Sequence, residues 1–508
     1  MTTRRDFLSA AGSTAVALAA TPAGAARAVA TGAVATGAGD TRATGTPLPG
    51  AQWICSTARA PWRSRSGVLR SVPTANLFET DLEIKLDDPQ QVIDGFGGAF
   101  SEKGWLALQT LPPAVREAAL DALFAPGKGA NFSLGRTPLG ANDMAREWYS
   151  YDETPGDFAL EHFSVAHDQD SLIPFIRAAR ARRPDLKIWA SPWSPPTWMK
   201  TNGHYAMAAA WPGQPSNGIR PEHLGQEGHD AFIQEDRYFE AYARYFRRYV
   251  EEYARAGVPI SMVMPQNEFN SAQPFPSCCW TSAGLARFLP FLGRELGAVG
   301  VEIFFGTLER GNAALLDEVL RDPAAAAYVK GVGVQWAGKG ALAAIHERHG
   351  ALKLWQSEQE CGTGSNDWHY AHYNWALMKQ YFLSGASAWF YWNLVTPPGG
   401  MSGWGWPQNS LITVDAAAGN YRLNYDYYLL AHASHFVEPG ARRLPTVSFF
   451  GYDNQLAFRN PDGRVIVLLQ NDMAEPLLVR MKLGADLVSV QLPPDSFNTL
   501  SLPGGATH

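Results

Sequence analysis

Two glutamates, Glu268 in "MPQNEFN" and Glu358 in "LKLWQSEQECG", each follow an apolar run and lie 90 residues apart. A carboxylate at the end of such a run is costly to bury unless it is paired or chemically used. Two opposed carboxylates fit cleavage of a glycosidic bond. One acid protonates the leaving oxygen while the other attacks the anomeric carbon, and a separation near ~5 Å gives a covalent intermediate with retention. Arg136 ends an earlier run; if it reached the nucleophile it would hold that carboxylate ionised, while less charged surroundings would raise the pKa of the other. Asn267 suits a sugar 2-hydroxyl, a contact that strengthens in the transition state. Trp193, Trp336 and Trp392 offer flat faces for the C–H surfaces of sugar rings.

A second carboxylate, Glu360, competes with Glu358. Leu352, Leu354, Gln356 and Glu358 fall on one face by strand alternation, and Glu358 is the first carboxylate at the strand end. Glu360 shares that parity but lies past the apolar run. It is expected to support the site, by pairing with a base or shaping the rim.

These residues need a scaffold that brings strand ends together. Eight β-like segments begin "QVIDGFGGAF", "NFSLGRTPLG", "LKIWASPWS", "ISMVMPQNE", "VEIFFGT", "VKGVGVQWAG", "LKLWQSE" and "ASAWFYWNLV". Helical stretches separate most of them, among them "PPAVREAALDALF" and "DRYFEAYARYFRRYVEEYARAG". In the latter, Tyr238, Phe239, Tyr242, Tyr245, Phe246 and Tyr249 form a stripe that reads as core. The alternation predicts an α/β fold, a closed (β/α)8 TIM barrel. An open doubly wound sheet would place a phosphate loop after its first strand, and "GFGGAFSEKGW" is not one. At roughly 30 residues per βα unit, the spacing of the two glutamates puts them on the fourth and seventh strands, facing across the mouth. Residues 78–86 and the run after 450 are purely β in pattern and predict a terminal sheet, joined by the strand before residue 90.

Other chemistries fit less well. "GKGALA" after the sixth segment matches Gly-x-Gly-x-x-Ala, yet no opening βαβ module surrounds it. "HERH" spaces His346 and His349 one residue short of the zinc motif, and His369 and His372 share that spacing. No Gly-x-Ser-x-Gly elbow is present. No cofactor and no metal site is expected. A carbohydrate-binding protein that kept the cleft but lost turnover is the alternative to an enzyme.

The 508 residues, 46% hydrophobic with a net charge of −6, can bury a large core and give no basic surface for nucleic acid. Arg4 and Arg5 precede Phe7, Leu8 and an Ala-rich run too short to span a bilayer, as in a twin-arginine export signal. The expected divisions are a signal peptide at 1–30, a disordered leader at 31–50, β-structure at 51–90 plus 437–504, and the barrel at 91–436. The expected product is secreted, without a membrane span. Cys55, Cys278, Cys279 and Cys361 make no zinc spacing, and their disulfide status stays open.

"QVIDGFGGAFSEKGW", "GRTPLGANDMA", "ASPWSPPTWMKTNG", "PQNEFN", "SEQECG" and "YWNLVTPPGG" together resemble glycoside hydrolase family 30, in its glucosylceramidase-like branch. The likeness covers roughly residues 78–500. It implies a barrel fused to a β-sandwich built from both chain ends. It also implies Glu268 as acid/base, Glu358 as nucleophile, and Arg136, Asp143, Trp193, Asn267 and Trp392 around the sugar. Three departures stand out: Phe269 where the family often has Pro, Gln335-Trp336-Ala337 where glucosylceramidases show His-Trp-Tyr, and Glu360 before Cys361. They argue against a ceramide-linked substrate and for a β-glucoside, β-1,6-glucan or β-xyloside, cleaved with retention.

Overall fold

The computed structural model describes residues 45–73 and 79–504. The expected signal peptide and residues 31–44 of the leader lie outside the described residues. Within 45–50, Thr46–Pro47 already pair antiparallel with Arg70–Ser71, so ordered structure begins before residue 51.

Eight parallel strands close into a barrel in chain order: β1 (Gly95–Ala99), β2 (Leu134–Pro138), β3 (Lys187–Ser191), β4 (Ile260–Val263), β5 (Glu302–Leu308), β6 (Val329–Gln335), β7 (Lys353–Glu358) and β8 (Ala388–Asn393). Pairing of Ala388–Tyr391 with Gly95–Gly98 closes the ring. β1 approaches β2 so tightly that a Cβ at Gly97 would lie 1.9 Å from the Leu134 carbonyl oxygen, which only glycine avoids.

Helices cover the outside, as expected for a parallel sheet buried on both faces. The tyrosine-striped helix runs Asp236–Arg255 and buries Phe239, Tyr242, Tyr245, Phe246 and Tyr249, the core role its period predicted. Two helices have no clear sequence signal. Glu102–Gln109 is only eight residues long, although Ser101 caps it through its hydroxyl. Tyr425–Ser434 is apolar nearly all round because it lies between the barrel and the terminal sheets.

Those sheets form a sandwich from both chain ends. Gln52–Thr57 pairs antiparallel with Ser496–Leu502, inside a six-stranded sheet. A second six-stranded sheet holds Leu82–Ile84 between Leu477–Leu483 and Thr446–Ser448. Trp53, Leu82, Val467, Val479, Met481, Val490 and Leu500 fill the space between the sheets. His432 joins sandwich to barrel, its two ring nitrogens bonded to Thr499 Oγ1 and Ser56 Oγ (2.8 Å each); burial pushes its pKa down to about 3. All four cysteines are buried thiols. Among the described residues, no helix is long and apolar enough to cross a membrane.

Candidate active site

Inside the barrel the strands carry two layers. The floor is apolar: Leu134, Trp189, Met262, Met264, Phe304, Trp355, Ala388 and Phe390. Two residues further along the same strands the side chains turn polar, as Leu134 gives way to Arg136 and Trp189 to Ser191. Arg136 is fully buried. It donates to Glu358 Oε2 (2.6 Å), Asn267 Oδ1 (2.7 Å) and Ser191 Oγ (3.0 Å), and its guanidinium lies 4.5 Å from the Trp193 ring centre.

Strict alternation fails at Glu358. Leu354 faces the outer core while Trp355 faces the floor, so unbroken alternation would send Glu358 outward with Leu354. A register shift pairs Val334 with Gln356 but Gln335 with Glu358, and this bulge turns the carboxylate into the mouth. The shared face read from the sequence is therefore wrong, although the residue it selected reaches the mouth. Glu358 Oε1 accepts from Trp336 Nε1 at 2.8 Å, so each oxygen faces an N–H donor. That arrangement suits the ionised form. Burial nevertheless pushes the Glu358 pKa up, to about 7, against the pull of Arg136, and the charge of Glu268 adds to the rise. Arg136 thus opposes but does not cancel the cost of burial.

Asn267 and Glu268 lie beyond the end of β4, in the turn that follows it. Glu268 adopts φ +46° and Trp336 φ +50°, left-handed conformations that cost a non-glycine residue about 1 kcal/mol or more and persist where surroundings impose them. The Glu268 N–H donates to Thr307 Oγ1 (2.8 Å). Gln273 Nε2 reaches Glu268 Oε2 at 3.3 Å. Gln335 ties the two glutamate loops together. Its Nε2 donates to Asn267 Oδ1 (3.2 Å) and lies 3.4 Å from Glu268 Oε1, and its Oε1 accepts from Ser357 Oγ (2.9 Å).

The loop after β8 reaches across the mouth. Gln408 accepts from Trp392 Nε1 (2.9 Å) and donates to Asp143 Oδ2 (3.0 Å), while Trp404 packs edge-on against Trp211 and Trp406 lies against Trp336. All eight singled-out residues, Arg136, Asp143, Trp193, Asn267, Glu268, Trp336, Glu358 and Trp392, therefore lie around one mouth. Sequence reading missed Gln408, Thr307 and Glu309, and noted Gln335 only as a departure from the family pattern, with no role in the site. Glu309 immediately follows β5, the one strand whose end was passed over between the fourth and the sixth. It is buried, accepts from Ser271 Oγ (2.8 Å), and is pushed up to about 7 by burial and by Glu268.

The residues behind the rejected chemistries have other work. Gly338 packs against β5, where a Cβ would meet the Leu308 carbonyl oxygen at 2.1 Å, rather than opening a phosphate cradle. His349 pairs with Asp317 (2.7 Å) and His372 with Asp495 (2.8 Å).

A buried carboxylate held by arginine and indole, a second carboxylate beside a glutamine that bonds both loops, and tryptophan walls at the C-terminal mouth of a TIM barrel define a glycosidase-type centre. The family model of the glycosyl hydrolase family 30 TIM-barrel domain matches residues 93–437, and the chain belongs to that family. It is 28% identical to lysosomal acid glucosylceramidase of Mus musculus over 435 residues, 79% of each protein. It is also 28% identical to endo-1,6-beta-D-glucanase neg1 of Aspergillus fumigatus over 453 residues, 84% of this chain and 88% of that protein. The crystal structure of SrfJ from Salmonella typhimurium superposes with a TM-score of 0.77 at 24% identity, covering 89% of this chain and 99% of SrfJ, and shares its fold. The chain is a glycosyl hydrolase acting on glycosides.

Proposed function

We propose that the protein is a retaining β-glycosidase that cleaves β-glucosyl linkages, in β-1,6-glucans or simpler β-glucosides, with β-xylosides as the weaker candidates. The observation that carries this reading is the pairing of Glu358 with both Arg136 and Trp336, opposite Glu268 across Gln335. Glucosyl recognition draws support from the two relatives, one named for glucosylceramide and one for β-1,6-glucan.

In the first step Glu358 attacks the anomeric carbon as Glu268 gives its proton to the departing oxygen, leaving a glycosyl ester on Glu358. In the second, Glu268 takes a proton from water, which attacks the same carbon and releases Glu358 as carboxylate. Two inversions restore the configuration. Asn267 Oδ1 is engaged by Arg136 and Gln335, so its amide N–H groups are the ones that would meet the 2-hydroxyl. Trp193 and Trp392 flank the sugar, and Asp143 with Gln408 bounds its far end.

A 2-deoxy-2-fluoro β-glucoside bearing a good leaving group should inactivate the enzyme and label the peptide at Glu358. A label elsewhere sinks the nucleophile assignment, and an inverted first product sinks retention. Export through the Arg4–Arg5 signal is a separate proposal, tested by N-terminal sequencing of protein recovered from the medium.

A further inference from the structure

The second glutamate of "SEQEC" has its own circuit. Glu360 is buried; its Oε1 accepts from Lys339 Nζ and its Oε2 from the Tyr373 hydroxyl at 2.6 Å, while its backbone carbonyl accepts from the Tyr370 hydroxyl. Lys339 belongs to the single turn Trp336–Ala341 that follows β6. Trp336 opens that turn in a left-handed conformation and donates to Glu358 Oε1. The turn is held at two further points, Gly338 against Leu308 and the Lys339 carbonyl 3.5 Å from Gln380 Nε2.

We propose that Glu360 is a positioning residue for the nucleophile: through Lys339 it anchors the β6 turn so that the Trp336 indole stays on Glu358. The proposal rests on the reading of Glu358 as nucleophile, but the geometry does not. A left-handed tryptophan relaxes unless its turn is fixed, and the only carboxylate holding Lys339 among the described ion pairs is Glu360. An N–H donated to a carboxylate favours its charged form. Loss of the clamp therefore raises the pH at which Glu358 ionises. The other titratable groups facing Glu358 are Arg136 on β2, Glu268 after β4, Asp143 after β2 and the Tyr381 hydroxyl; those facing Glu360 are Lys339 and the hydroxyls of Tyr370, Tyr373 and Tyr381. None of them needs to change.

The test follows the Glu358 carboxyl by 13C NMR in Glu-labelled protein, assigned by its loss in Glu358→Gln, alongside the acid limb of kcat/KM. Trp336→Phe should raise both midpoints by about one unit, the size expected for a lost hydrogen bond to a charged group. Glu360→Gln and Lys339→Met should each raise them by about half a unit, roughly threefold, at an unchanged alkaline limb. Glu360→Gln in the Trp336→Phe background should add nothing. An unmoved Glu358 midpoint in folded Glu360→Gln, or a full additive shift in the double variant, overturns the proposal. Should Glu360→Gln not fold, Lys339→Met carries the same two outcomes from the other side of the pair. Failure of the nucleophile reading shows separately, as wild-type enzyme labelled away from Glu358 while its carboxyl still responds to Glu360.

Discussion

The floor and the mouth of the barrel are successive layers of one ring of strands, two or three residues apart, and obey opposite rules. On the floor, Trp189, Phe304, Trp355 and Phe390 pack against one another in T-shaped or tilted pairs, the rings 4.9–5.5 Å apart. At the mouth, Arg136, Glu358, Asn267, Glu268 and Gln335 are almost as buried, yet bring charge and two left-handed residues with them. Burial stabilises the first layer and is a cost in the second, which the first must offset. The floor holds the fold so that the mouth can stay strained.

If that division is right, the two layers should fail differently. The largest expected effect is Glu358→Gln, which should lower kcat on an aryl β-glucoside by on the order of ten-thousandfold or more, with the circular dichroism spectrum intact. Activity left within tenfold of wild type would move the chemistry elsewhere. Phe304→Ala on the floor should do the reverse, costing about 3–5 kcal/mol of stability in urea unfolding while the surviving folded enzyme keeps its kcat at low temperature. Lost kcat without lost stability would erase the distinction.

A third test uses pH. The Glu358 pKa is raised to about 7, and the proposed attack by Glu358 needs its ionised form, so kcat/KM should fall close to tenfold per pH unit below that value. An acid limb near the ordinary glutamate value would show that Arg136 outweighs burial. The smallest effect is expected at Glu309→Gln. Glu309 has its folded pKa raised to about 7, so wild-type stability is favoured while the group is protonated and is lost as pH climbs from the unfolded value through 7. The glutamine variant should gain on wild type by about 3 kcal/mol at pH 8 and by little at pH 4, read from urea unfolding at both pH values.

The same contrast decides what the sequence could show. Floor and barrel wall are written as local apolar runs, so all eight strands and the larger helices were legible from period and spacing. Residues at strand ends, such as Arg136 and Trp392, follow from where those runs stop. Gln408 was not legible, and Gln335 was visible only as a departure at the end of β6, because what each does lies in contacts between loops of different strands, Gln335 with Asn267 and Gln408 with Asp143. Glu358 sits between these cases: strand end and motif chose it, but alternation pointed it the wrong way, since a bulge is a property of the pair of strands and not of one.

The pairing of Gln52–Thr57 with Ser496–Leu502 has a consequence for how the chain is made. Trp53 Nε1 donates to Asn498 Oδ1, partners 445 positions apart. During synthesis the first of these strands finds a hairpin partner at once in Ala60–Ser64, but its other edge must wait through translation of the entire barrel. An unpaired strand edge is prone to mispairing, and a contact this distant forms slowly. The barrel, whose neighbouring strands follow one another along the chain, can assemble first. The barrel can therefore form before the sandwich closes, and truncation ahead of Ser496 should leave one edge of Gln52–Thr57, the one not covered by Ala60–Ser64, aggregation-prone.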